Sequence, residues 1–102
     1  MVEVYLKIHE AYRKIVSLCD KELLGKKFEE ENLQLDVNSK FYGGEIKTNE
    51  KELIELLKGE EKEDSCFNIV GENSCNITIK SGIINKDSII QIQGVKHTLG
   101  LL

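Results

Sequence analysis

The stretch that decides the fold runs from Cys66 to Gly82 and reads CFNIVGENSCNITIKSG. Its first part, Cys66–Val70, is a short apolar run that enters a glycine, which is typical of a buried strand ending in a turn. The second part is ambiguous. Cys75, Ile77 and Ile79 alternate as in a strand, and their β-branched members favour one, but the spacing also fits a helix that ends at the following glycine. The residues alone leave both structures open.

Upstream of this stretch, alternating apolar positions predict three strands. Residues 2–9 alternate strictly, and Arg13–Leu18 reads as a second strand with apolar pairs at residues 15–16 and 18–19. An antiparallel hairpin is the simplest join between the two strands. A third alternating segment is Leu33–Val37. Between the second and third strands, Asp20 opens a short turn at residues 21–24, and its carboxylate can cap that turn.

One amphipathic helix is clear in the sequence. Asn49 is a good N-terminal cap, and the apolar stripe that follows predicts a helix over residues 50–58 that stops at Gly59. Residues 60–64 then read as a charged loop. Near the end, Ser88–Gln93 predicts the last long strand, and Val95–Leu102 predicts a short extended tail.

Length and charge narrow the class of protein. A chain of 102 residues is the size of one domain, and a net charge of −4 excludes a strongly basic nucleic-acid domain as a whole-molecule description. No apolar run approaches the ~20 residues that span a bilayer. We expect no signal peptide, because residues 1–8 alternate and include acidic Glu3. We therefore expect no membrane partner and no DNA partner.

The cysteines predict a cytoplasmic protein without a metal. Cys19, Cys66 and Cys75 are odd in number and form no CxxC pair, and neither histidine stands at ligand spacing from them. The simplest interpretation is thiols packed as small apolar groups in a reducing compartment. We expect no metal and no cofactor.

Two glycine-containing motifs are candidate binding sites. Lys40–Gly44, KFYGG, joins a cation and two aromatic rings to glycines that permit close approach of a ligand; the alternative is a tight turn whose Phe41 plugs the core. Asn68–Ser74, NIVGENS, could offer free backbone N–H groups to a phosphate at a helix start, and the alternative there is an ordinary capped helix.

Cys19, Asp20 and His97 supply the ingredients of a nucleophile and a base. Nucleophilic catalysis needs these groups within hydrogen-bond reach, and the sequence shows no such geometry. The alternative is a buried, inert thiol at the end of an apolar strand.

Several of these strings occur together in one family. The chain resembles an archaeal family known only as domain of unknown function four-twenty-four. The matching pieces, in order, are Cys19-Asp20, Leu23-Leu24-Gly25-Lys26, Phe28, Phe41-Tyr42-Gly43-Gly44-Glu45, Asn68-Ile69-Val70-Gly71-Glu72, Ser74, Gly82, Asp87-Ser88 and Gly94-Val95 with His97. The family usually has proline before the histidine, where this chain has Lys96. The resemblance implies a helix between Gly71 and Gly82, so we expect one over residues 73–81.

Together, these observations predict a single α+β domain spanning residues 1–102, with a mostly antiparallel sheet of about four or five strands and two helices. An α/β arrangement with a parallel strand pair is the alternative. The resemblance implies a non-catalytic module that binds RNA or a ribonucleoprotein in archaeal translation; the alternatives are a small enzyme built on Cys19, Asp20 and His97, or a protein-interaction domain. The candidate binding residues are Lys40, Tyr42, Gly43, Gly44, Lys47, Asn68, Gly71, Glu72, Ser74 and His97.

Overall fold

A six-stranded sheet with the two longer helices on one face and a hairpin on the other organises the chain, of which a computed structural model describes residues 2–100. The strands are β1 (Val4–His9), β2 (Ile15–Asp20), β3 (Lys27–Glu30), β4 (Leu33–Asp36), β5 (Glu45–Lys47), β6 (Cys66–Val70), β7 (Ile90–Ile92) and β8 (Val95–Gly100). The helices are α1 (Ser39–Tyr42), α2 (Glu50–Lys62) and α3 (Glu72–Lys80). Short 3-10 turns lie at Lys21–Leu23 and Lys86–Ser88.

The main sheet has the order β5-β1-β2-β6-β8-β7, and β3 and β4 form a separate two-stranded hairpin. Only β2 and β6 pair in parallel within this sheet, and the remaining neighbours are antiparallel. The predicted α+β class and the first hairpin are therefore confirmed. The sheet is larger than the expected four or five strands because two further segments join it. β5 is a three-residue edge strand with little sequence signal, and β8 was predicted only as an extended tail.

The sheet separates two hydrophobic clusters. The helix-face cluster packs α2 and α3 on the sheet; its buried members are Val4, Leu6, Val16, Leu18, Leu53, Leu57, Phe67, Ile69, Cys75 and Ile77. The hairpin-face cluster lies beneath β3, β4 and α1; its buried members are Cys19, Leu35, Val37, Tyr42, Val70 and Ile92. Adjacent residues of β2 and β6 belong to different clusters, as the alternation of side chains along a strand requires.

The helix predicted over residues 73–81 is confirmed as α3, whereas the end of the other helix was predicted wrongly. α2 begins after Asn49, whose side chain accepts a hydrogen bond from the Glu52 N–H, but it continues through Gly59 to Lys62. Most of the predicted charged loop is therefore helical. Glu60 anchors this last turn, because its carboxylate accepts the Ser65 hydroxyl at 3.0 Å and lies 3.6 Å from the Lys14 ammonium.

The two strands of the last hairpin, β7 and β8, also differ from the prediction. Ser88–Gln93 is not one long strand: Ser88 closes a 3-10 turn, and β7 spans only Ile90–Ile92. The predicted tail is the longer strand, because β8 pairs with β6 on one side and β7 on the other. Residues 101 and 102 of that tail lie outside the described part of the chain. No helix within residues 2–100 is long and apolar enough to cross a membrane.

Candidate functional site

Asp20 lies at the carboxyl end of β2, beside the first turn of α3, and holds that turn. Its carboxylate accepts the Asn73 N–H at 3.1 Å, the Ser74 N–H at 2.8 Å and the Ser74 hydroxyl at 2.7 Å. The turn at Lys21–Leu23, which Asp20 was predicted to cap, has no side-chain cap. The carboxylate instead satisfies N–H groups that the start of a helix leaves without a partner in the helix itself.

Gly71 makes this arrangement possible. Its φ is +108°, in the region that favours glycine, and its N–H donates to the Lys96 carbonyl at 2.8 Å. A Cβ at this position would overlap the Asp20 carboxyl group. The backbone therefore makes a close approach at this glycine, and the group that approaches it belongs to the protein.

The electrostatics of Asp20 follow from its burial. Burial raises the pKa of Asp20 above its usual value, while the hydrogen bonds from Ser74 and Asn73 oppose that rise. The neighbouring depression of about 210 Å³ is also lined by Glu22 and Glu72, and the latter lies 3.4 Å from the Lys96 ammonium. The start of this helix was expected to offer free N–H groups to a phosphate. At Asn73 and Ser74 these N–H groups already donate to Asp20, so neither is free to bind one.

Asn68 and Tyr42 meet on the opposite face of the sheet. The Tyr42 hydroxyl donates to Asn68 Oδ1 at 2.7 Å, and burial is the main cause that raises the pKa of Tyr42 to about 12. The ring is only 4% exposed and belongs to the hairpin-face cluster. It is therefore not available in this structure for the base stacking expected of it. Tyr42, rather than Phe41, is the fully buried ring of the KFYGG motif.

His97 lies on the same face, one strand further along the sheet. The register places it opposite Val70 on β6 and Ile90 on β7, and its Nδ1 is 2.9 Å from the Ile69 carbonyl oxygen. Since a carbonyl can only accept, Nδ1 carries the proton and Nε2 is left as an acceptor in the neutral ring. Burial lowers the pKa of His97, although the hydrogen bond to the carbonyl opposes this.

Two exposed apolar side chains lie beside His97 and Asn68 in the sheet. Ile90 is opposite His97 and is 44% exposed, and Leu99 is opposite Asn68 and is 56% exposed. We call Asn68, Ile90, His97 and Leu99 the sheet-face patch. Ile90 and Leu99 were not among the residues predicted from the sequence. The available signal was the period of two along β8, which puts Leu99 on the face of His97.

The two candidate lysines lie on opposite faces of the sheet. Lys47 is opposite Val4, a member of the helix-face cluster, and its ammonium lies 3.1 Å from the Glu45 carboxylate. Lys40 lies in α1 on the other face, and its carbonyl accepts the Lys7 ammonium at 2.6 Å. These two lysines therefore do not form one basic surface.

The glycines of the KFYGG motif serve internal packing. A Cβ at Gly44 would overlap the carbonyl of Leu6, and one at Gly43 would press on the carbonyl of Ser39. The close approach is thus between segments of the chain, where α1 returns to the edge of β1.

Cys19, Asp20 and His97 do not assemble into a catalytic set. Burial is the main cause that raises the pKa of Cys19 to about 12, which disfavours a thiolate. Val70 lies between Cys19 and His97 in the sheet register, so their backbones are two strand spacings, or about 10 Å, apart. Asp20 points to the other face. Within residues 2–100, no three His, Cys, Asp or Glu side chains are grouped so that they could hold a metal ion.

These features define an α+β domain in which the Asp20 carboxylate caps α3 on one face of the sheet and the sheet-face patch lies on the other. A family model described as "Protein of unknown function (DUF424)" matches residues 8–100, so the chain belongs to that family. Its fold is shared by a solved structure, described as an uncharacterized conserved protein from Methanopyrus kandleri, at a TM-score of 0.83 and 24% identity, over 95% of this chain and 89% of that one. Comparison with curated proteins gives no match.

Proposed function

We propose that this protein is a non-catalytic binding module of a cytoplasmic ribonucleoprotein that serves translation, and that the sheet-face patch is its contact surface. The observation that carries the proposal is the pairing of exposed Ile90 and Leu99 with the polar ends of Asn68 and His97. Apolar side chains rimmed by polar groups mark interaction surfaces. The link to RNA rests on the family resemblance.

The roles of the candidate catalytic residues favour binding over catalysis. The Asp20 carboxylate caps α3, His97 donates to a backbone carbonyl, and the Cys19 thiol is buried. Each group therefore already has a structural use, and none faces another in a way that transfers a proton.

The charge of the chain favours contact with a protein component of the particle. A net charge of −4 opposes tight binding to a phosphate backbone, which depends on several lysines or arginines acting together. Lys40 and Lys47 point from different faces, so charge reversal at both positions would test two surfaces at once. They are better tested singly.

The experiment is sedimentation of the tagged protein in lysate of its native host, with and without ribonuclease and at low and high salt. We expect wild-type protein to migrate with ribosomal particles, and Ile90→Thr with Leu99→Thr to migrate as free protein. Leu33→Thr is the matched control, because Leu33 is a strand residue that is 45% exposed outside the patch. Wild-type protein that migrates alone would overturn the ribonucleoprotein assignment.

Lys40→Glu separates the two modes of contact. If the patch contacts protein, this variant stays with the particles, because Lys40 lies outside the patch. Release of Lys40→Glu together with retention of the Ile90→Thr and Leu99→Thr variant would instead indicate direct RNA contact through α1, and would contradict the assignment of the patch.

A further inference from the structure

Strand β5 ends the sheet with an unpaired edge. It is hydrogen-bonded to β1 on one side, and no strand within residues 2–100 pairs with its other side. Ile46 at its centre is 46% exposed, and the Glu45 side chain is largely exposed. The outward N–H and C=O groups of an edge strand are a template for another strand.

Ile46 lies between two residues of opposite charge in β5. The strand reads Glu45-Ile46-Lys47, and the two charged side chains point to the helix face while Ile46 points to the hairpin face. We propose that two copies of this chain pair through β5 in an antiparallel, two-fold symmetric contact centred on Ile46. Glu45 of each copy then lies opposite Lys47 of the other, and the two Ile46 side chains meet on the opposite face.

Charge selects this register over its neighbours. Side chains that lie directly opposite each other in a sheet share a face. A shift by one residue would place Glu45 opposite Ile46, although these two side chains point to different faces of the sheet. A shift by two places Glu45 opposite Glu45, or Lys47 opposite Lys47, and like charges directly opposite are destabilising. The register centred on Ile46 is the one that pairs opposite charges twice.

The surroundings of the strand suit such a contact. On the helix face, β5 borders a depression of about 390 Å³ whose apolar lining is Leu6, Ile8 and Leu56, and Glu45 and Lys47 form part of its rim. On the other face, Ile46 lies opposite Tyr5 of β1. The second copy would add its Lys47 to the rim of the depression beside Glu45. Its Ile46 would lie beside Ile46 of the first copy and extend the row that begins with Tyr5, so the hairpin face of the joint gains apolar cover.

The size of the contact sets its strength. Stable interfaces bury about 1,200–2,000 Å², and two three-residue strands supply only part of that area. We therefore expect a weak, reversible dimer with a Kd between about 10 µM and 1 mM, the range of small transient contacts.

The test is sedimentation equilibrium of the purified full chain up to about 1 mM. Glu45→Lys makes the strand basic at both ends and Lys47→Glu makes it acidic at both ends. We expect either variant alone to dimerise about tenfold more weakly, because two attractive pairs become two repulsive ones. An equimolar mixture of the two should associate as well as wild type, since every cross-strand pair is again opposite in charge.

The mixture separates pairing from folding, because a variant that merely fails to fold gains nothing from its complement. Circular dichroism verifies the fold of each variant. Lys86→Glu changes the net charge as Lys47→Glu does, but it lies in the turn before β7 at the other end of the sheet, and should dimerise like wild type. Wild-type protein that stays monomeric to 1 mM, single variants that dimerise as wild type, or a mixture that does not recover would each overturn the proposal.

Discussion

At the scale of single residues, Asp20 and His97 show how polar groups become structural when strands bring backbone donors and acceptors to them. Asp20 bonds residues more than fifty positions away, and His97 bonds the carbonyl of the neighbouring strand. For Asp20 the partners include two N–H groups that the start of α3 leaves without a partner in the helix, and for His97 the partner is a backbone carbonyl of β6. Buried groups of this kind are costly to leave unpaired, so these side chains affect stability more than their number suggests.

Asp20→Ala should lower the free energy of unfolding by about 2–3 kcal/mol, because it leaves the Asn73 and Ser74 N–H groups at the start of α3 without their acceptor. Ser74→Ala removes one donor and should cost about 1 kcal/mol. Urea unfolding followed by circular dichroism measures both, with exposed Asp87→Ala as the control. A loss below about 0.5 kcal/mol for Asp20→Ala would contradict the capping role.

His97 should make stability depend on pH below neutrality. Its pKa in the folded protein is lowered from 6.5, so the unfolded chain binds the proton more readily. The contribution of the neutral ring is complete above pH 6.5 and is lost as the pH falls through the lower, folded-state pKa. His97→Asn keeps an N–H for the Ile69 carbonyl but removes this titration. The difference in unfolding free energy between pH 7.5 and 5 should be smaller in that variant, and an equal difference would contradict the inference.

At the scale of elements, α2 shows that a helix can continue through a glycine when the residues on both sides of it favour the helix. Gly59 was the expected end, but strong helix formers follow it and Glu60 is fixed by Lys14 and Ser65. Nothing lies within 4 Å of a Cβ built on Gly59, so the position is an open site on the surface of the helix.

Gly59→Ala should therefore raise the free energy of unfolding by about 0.5–1 kcal/mol, through helix propensity alone. Gly71→Ala should do the opposite, since φ is +108° there and a Cβ would overlap Asp20. Thermal and urea unfolding of the two variants measure the contrast. A neutral or destabilising Gly59→Ala would indicate that the helix ends where the sequence pattern predicted.

The elements that could be predicted from sequence are those whose signal is local. The alternation in β1 and the cap and stripe of α2 lie within single segments, and both were identified from the residues alone. The length of β8 depends on its two partner strands, and β3 became a strand by pairing with β4. Such boundaries follow from pairing and not from period.

The candidate site was predicted in the same uneven way. Asn68, Tyr42 and His97 were selected, and the fold places them on one face; the exposed Ile90 and Leu99 beside them were not, because each reads locally as an ordinary strand residue. The hydrogen bonds from α3 to Asp20 depend on the parallel pairing of β2 and β6. No local sequence pattern predicts that pairing.

At the scale of the whole molecule, one sheet serves two cores. β2 and β6 send alternate side chains to the helix-face and hairpin-face clusters, so neither cluster exists without the strands of the other. The hairpin is further tied to the sheet, because the Gln93 N–H donates to the Glu30 carboxylate at 2.9 Å and the Gln93 side chain accepts the Glu29 N–H at 2.8 Å. This sharing predicts one cooperative unit.

We therefore expect unfolding in urea to be a single transition seen identically from both faces. Circular dichroism at 222 nm reports α2 and α3, and tyrosine fluorescence reports Tyr42 on the hairpin face once Tyr5 and Tyr12 are changed to phenylalanine. Leu35→Ala beneath the hairpin and Leu53→Ala beneath the helices should each cost about 2–4 kcal/mol and shift both probes together. If Leu35→Ala moved the fluorescence transition and left the circular dichroism transition in place, the hairpin face would be an independent folding unit and the shared-sheet account would be wrong.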